Sequence, residues 1–202
     1  MLKELAEDVF VETGFESGNV GLIRSSRGAL LIDTPMLPSD ARQWRQDLLQ
    51  LGITEIYGIV NTDYHPEHVL GNAFFMPTRI WGHELSIKQL NKYKASLADQ
   101  LNALPREDPQ LIEEINQIEV YFPEICVGDR ATLYTDERVI EIVHLPGHTP
   151  ASLGVYLPEE RILFAGDNIV QGEHPIMSQA NSLAWLATLE RIRSWNVKVI
   201  VP

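Results

Sequence analysis

The amino-acid pattern predicts an α/β fold in which two β layers lie between helices. Strand and helix signals alternate along most of the chain. Several strand signals are short, mostly apolar runs, Ile56 to Val60, Val139 to Val143 and Ile162 to Phe164, of the length expected for buried strands. The helix signals are one-sided. Ala41, Trp44, Leu48 and Leu51 fall on one face of one segment, and Trp185, Leu186, Leu189 and Ile192 on the inner side of another. A chain of 202 residues, 45% hydrophobic and 22% charged, can bury a sizeable core and is read as one domain, 1–202.

From the N-terminus onward, Met1 to Phe10 carries Lys3, Glu4, Glu7 and Asp8 with no apolar core, so it is no signal peptide. Asn19 to Arg24 and Gly28 to Asp33 read as a hairpin around Ser25-Ser26-Arg27. Pro38-Ser39 opens a helix and Gly52 stops it. Ile56 to Val60 is a strand, Gly71-Asn72 breaks the chain, and Arg79 to Gly82 is a further strand. A helical segment is expected over about 84–126, interrupted at Pro105 to Pro109, because Glu84 to Leu104 is rich in Lys, Gln, Leu and Ala. Hairpin strands return over Ala131 to Val143 and over Leu153 to Phe164, the second turning at Pro158-Glu159-Glu160. Asn181 and Ser182 can cap the closing helix.

A net charge of −12 argues against nucleic acid or an anionic membrane as the main partner but says little about a small-molecule substrate, the partner expected here, because local site charge decides that. Cys126 is the only cysteine, so neither an intrachain disulfide nor a multi-cysteine zinc site can form. A free thiol suits a reducing, cytoplasmic setting. No apolar window reaches the roughly 18 residues of a membrane span. Oligomeric state is left open.

Residues 61–68 read Asn-Thr-Asp-Tyr-His-Pro-Glu-His and directly follow a strand signal. Asp63, His65, Glu67 and His68 are imidazoles and carboxylates presented from one turn, a set suited to a divalent metal. A polar loop that happens to hold two histidines is the alternative. Two later segments join them. Leu145-Pro146-Gly147-His148-Thr149 comes after one apolar run, and Ile162 to Asp167 is a strand pattern ending in an acid.

The order acid/His cluster, Gly-His-Thr, strand-Gly-Asp resembles the metallo-β-lactamase superfamily, whose first motif is usually Thr-His-x-His-x-Asp-His. Leu31-Ile32-Asp33-Thr34 is similar to the family's early strand-Asp-Thr segment, and Val197 to Pro202 to the strand before its last Gly-His motif. The resemblance implies a four-layer αββα sandwich with the site along one edge of both sheets. It implies a first metal set of Asp63, His65 and His148. A second set would be Glu67, His68 and Asp167, completed by a histidine expected beyond Pro202 or else short of a ligand. Asp63 stands where the family has histidine and Glu67 where it has aspartate. With three carboxylates and three imidazoles, two divalent ions would leave about +1. The cofactor is expected to be one or two divalent ions, zinc first. The oxygen-rich set moves preference toward iron or manganese.

The implied reaction is hydrolysis of an ester, thioester, amide or phosphoester by a metal-activated water, with Glu67 and Asp167 as catalytic carboxylates. Thr62 and Thr149 would hydrogen-bond neighbouring ligands, and Asp33 would accept from an imidazole N–H or else cap a turn. His174 and Tyr64 are candidate substrate contacts. His83 and His144 are read as structural. Two alternatives stay open: a degenerate member that binds metal weakly or not at all and serves as an interaction protein, and an iron-dependent oxidoreductase variant.

Overall fold

Two sheets face each other across an apolar layer, and a helix covers each outer face. The computed structural model describes residues 1–92, 113–115, 117–135 and 138–202. The first sheet holds β1 (Leu2–Ala6), β2 (Val9–Glu12), β3 (Val20–Ser25), β4 (Gly28–Ile32), β5 (Ile56–Val60), β6 (Ile80–His83) and β7 (Ile125–Val127), in that order. Pairing is antiparallel from β1 to β4 and parallel from β4 to β7. The second sheet runs β12 (Val199–Val201), β11 (Ile162–Phe164), β10 (Leu153–Leu157), β9 (Val139–His144), β8 (Arg130–Tyr134), antiparallel except for β11 with β12.

Strands buried on both faces explain the continuous apolar runs. Ile23, Leu30, Ile32 and Val60 of the first sheet meet Ile140, Ile142, Val155 and Phe164 of the second. The alternate residues Leu22, Leu31 and Ile59 face outward onto Ala41, Trp44 and Leu48 of α1 (Pro38–Gln50). On the other side, Val143 and Leu163 pack with Ile192 of α3 (Ser182–Ser194), whose N-cap Asn181 accepts from the amides of Leu183 and Ala184. A short helix α2 (Pro66–Val69) lies between β5 and β6. No described helix is long and apolar enough to cross a membrane.

Two expectations change, and one segment without an expectation gains structure. The N-terminal residues pair as the β1–β2 hairpin, its turn held by Asp8 at φ 63°. Runs of five and four residues around an acidic turn are too short to show a period. The segment 84–126 does not end as helix: residues 86–92 and 113–115 are helical, but Ile125–Val127 is an edge strand paired with β6. Most of the helix expected there, residues 93–112, lies outside the described residues. Finally, Leu186 is 61% exposed, and the inner face of α3 is Trp185, Thr188 and Ile192. Position 188 follows 185 by three and precedes 192 by four, so spacing chose Thr188 over the more apolar Leu186.

His83 ends β6 and stacks on His144 at the end of β9, with centroids 3.9 Å apart. Burial, and then the facing His144, push the His83 imidazole down to about 4, although Asp129 partly opposes this. The unfolded chain takes up this proton near 6.5, whereas the folded chain holds out to about 4. Stability is therefore complete above pH about 6.5 and falls as pH drops toward 4, by about 1–2 kcal/mol after allowing for partial solvation. Urea denaturation at several pH values should show this slope in the wild type and lose it in His83→Gln.

Candidate metal centre

The parallel pairing of β4 and β5 brings the two strand ends together, so the segments that continue from them meet at one edge of the sandwich. Asp33 comes directly after β4, and Asn61 to His68 come directly after β5. The β9–β10 turn supplies Leu145 to Ser152, and Ala165 to Asn168 continue from β11. Pro66 opens α2 with its φ preset, so Glu67 and His68 are carried on a helical turn rather than a loose loop.

The six candidate side chains converge. Ligand atoms of Asp63, His65 and His148 all lie within 4.8 Å of one another, as do those of His65, Glu67 and Asp167. His65 Nδ1 is 3.2 Å from His148 Nε2. Asp167 reaches His148 Nε2 at 3.4 Å and His68 Nε2 at 3.5 Å. His68 Nε2 is buried without a hydrogen-bond partner. Carboxylate oxygens and imidazole nitrogens that face each other repel unless a proton or a cation lies among them. The arrangement therefore fits a divalent ion, and its N/O composition suits zinc, iron(II) or manganese(II).

The local field keeps two groups in the form a cation needs. Burial opposes ionisation of Asp167, yet the His68 imidazole outweighs it and holds the carboxyl well below the usual range. Burial holds His65 below its ordinary value despite Asp63 and Glu67. His68 is the exception. Burial disfavours its charged form, but Asp33 and Asp167 prevail and raise it well above the ordinary value. A cation binding at His68 Nε2 must displace that proton, so uptake by this residue is coupled to proton release.

Three buried networks orient these side chains. Asp33, at φ 57°, accepts from the Thr62 amide at 2.7 Å and the Thr62 hydroxyl at 2.5 Å, and its Oδ2 lies 3.0 Å from His68 Nδ1. That contact leaves His68 Nε2 directed at Asp167. Asn61 donates to the His68 carbonyl at 2.7 Å and is locked by Asn72, which in turn accepts from Thr34 at 2.9 Å. Asn168 Oδ1 accepts the His148 amide at 3.1 Å, its Nδ2 donates to the Leu145 carbonyl, and its own carbonyl accepts from Trp185 Nε1. A Cβ at Gly147 would stand 2.7 Å from Trp185 and 2.8 Å from Asn168, so only glycine lets the turn close so tightly.

Asp63 is anchored too: Tyr64 N, Thr149 Oγ1 and Ser152 Oγ donate to it. Asn61, Asn72, Ser152, Asn168 and Trp185 were not read from sequence as site residues. Asn61 and Asn168 carried a signal, the first opening the 61–68 segment and the second standing next to Asp167. Tyr64, expected to reach substrate, is buried and donates its hydroxyl to Gln179. His174 is exposed beside Glu173, which lines the adjoining cleft of about 310 Å³. Glu67, His68 and Asp167 line the same cleft, with Phe15 and Phe164 as its apolar wall.

Residues 13–202 match the family model of the metallo-beta-lactamase superfamily. The chain is similar to a metallo-beta-lactamase type 2 from Pseudomonas aeruginosa, 28% identical over 91% of this chain and 68% of that protein. It is similar to a hydroxyacylglutathione hydrolase from Trichormus variabilis, 26% identical over 78% of this chain and 52% of that one. Its fold matches a solved metallo-beta-lactamase from Pontibacter korlensis with a TM-score of 0.73 at 19% identity, over 100% of this chain and 89% of that one.

Proposed function

The chain belongs to the metallo-β-lactamase superfamily, whose members are metal-dependent hydrolases, and on that basis we propose that it hydrolyses an ester, thioester, amide or phosphoester in the cleft beside Glu67, His68 and Asp167. The observation that carries this is the approach of His65 and Asp167 to each other, of Glu67 to both and, separately, of His148 to both, with His68 Nε2 facing Asp167. The similarity to a β-lactamase and to a hydroxyacylglutathione hydrolase supports hydrolysis and leaves the substrate to experiment.

A bound divalent ion supplies a Lewis acid and lowers the pKa of water from about 15.7 to about 7. His65 and His148 would hold it through Nδ1 and Nε2, with carboxylates completing the set. Asp167, kept ionised by His68, accepts a hydrogen bond from the attacking water and aligns it. Glu67, half-buried on the cleft wall, takes the proton of that water at a carboxylate oxygen and returns it to the leaving group. Phe15 and Phe164 keep bulk water from the reacting atoms. No serine or cysteine nucleophile is required.

Elemental analysis of the purified protein should find divalent metal. Turnover of neutral nitrophenyl esters, thioesters or phosphodiesters should vanish with a chelator and return on adding zinc, manganese or iron. Glu67→Gln should lower kcat by about 100-fold or more while metal content stays. Protein that takes up none of these ions and turns over no substrate would overturn the proposal and favour an interaction protein on this fold.

A further inference from the structure

We propose that Asp63 is a positioning residue that splints two loops together, and not a metal ligand. This deepens the hydrolase reading above and rests on it only for the metal readout. Asp63 sits at a ligand position of the sequence pattern, yet the protein has already occupied its carboxylate. Oδ1 accepts the Tyr64 amide at 2.6 Å, and Oδ2 accepts the Thr149 and Ser152 hydroxyls at 2.8 Å each. A carboxylate has about four acceptor positions, so three are taken.

The two hydroxyls are themselves oriented. Thr149 Oγ1 accepts the Ala151 amide at 3.1 Å, and Ser152 Oγ accepts the Thr149 amide at 3.0 Å. Each hydroxyl accepts a backbone amide, and the Asp63 carboxylate at 2.8 Å is the nearest acceptor for its one proton, ahead of the other hydroxyl at 3.0 Å and, for Ser152, the Thr149 carbonyl at 3.4 Å. The result is a buried bridge between the turn after β5, which carries His65, and the β9–β10 turn, which carries His148. Those two imidazoles end 3.2 Å apart. A histidine at 63 could not accept three donors at once. The serine and threonine that surround this position match an aspartate, and its ligand role passes to the carboxylate of Asp167, which closes on His65 and His148.

A splint and a ligand fail differently. Metal-stripped full-length protein is titrated with Co2+, the d–d spectrum is recorded, and thermal stability is measured without metal, for Ser152→Ala, Thr149→Val, Asp63→Asn and the double variant Asp63→Asn/Ser152→Ala. The splint predicts that each single variant weakens Co2+ binding by about 10–100-fold and shifts the spectrum, as loss of an outer-shell partner does. Each also lowers the apo Tm, and the double variant is no worse than the worse single, because both changes break one bridge. The proposal is overturned if Asp63→Asn abolishes Co2+ binding while Ser152→Ala and Thr149→Val leave binding, spectrum and apo Tm unchanged. It is equally overturned if Asp63→His tightens binding. Should the wild type bind no Co2+, the hydrolase reading fails alone, and the apo Tm cycle still decides the splint.

Discussion

His148→Ala is expected to cost the protein about 100-fold or more in divalent-metal affinity, and with it the hydrolysis proposed above. Structural zinc sites carry about 10–16 kcal/mol over roughly four ligands, or about 3 kcal/mol for one. His148 Nε2 lies 3.2 Å from His65 Nδ1 and 3.4 Å from Asp167, at the heart of the candidate centre. The truncation leaves the turn itself in place. The amide that binds Asn168, the Gly147 approach to Trp185 and the Thr149–Asp63 bond belong to other atoms. Apo stability should therefore fall little beyond the cavity left by one ring packed edge-on against His65 and Trp185. Calorimetric titration of metal-stripped wild type and variant checks this, with circular dichroism as the folding control. Unchanged affinity would remove His148 from the centre.

Asp33→Ala should be the most destabilising single change near the site, by about 3–5 kcal/mol. Asp33 is 4% exposed and holds the amide and hydroxyl of Thr62, itself buried, together with His68 Nδ1. Truncation strands all three, and an unpaired buried polar group costs about 1–3 kcal/mol. It also removes one of the two carboxylates that favour His68 in its charged form. Backbone geometry adds a term, because φ of 57° costs alanine roughly 1 kcal/mol and suits asparagine better. Asp33→Asn should accordingly lose less than Asp33→Ala, since it keeps one acceptor for Thr62. Urea unfolding of the three proteins without metal gives the order. A loss under about 1 kcal/mol for Asp33→Ala would mean that the network carries no net stability.

The alternation of strands and helices, the helix start at Pro38 and the cap at Asn181 were legible in the chain alone. So was the placement of Asp33, residues 61–68, His148 and Asp167 just after apolar strands. These are local properties: an apolar run of five residues or a proline at the first helical turn means the same thing in most contexts. Long-range packing settled the features that locality cannot show. It assigned Thr188 rather than Leu186 to the inner face of α3, because the approach of the helix to Pro146 determines which residue is covered. It paired the acidic N-terminus as a hairpin and placed Ile125–Val127 at the sheet edge, since strands that short gain their stability from the partner they meet. Above all it separated the polar residues of the site into those aimed at the centre and those that hold them. Ser152 lies 89 residues from Asp63, and Asn168 lies 20 from His148. Hydrogen bonds over such separations leave no periodic trace in the chain. They form only once the parallel strands have brought their ends together.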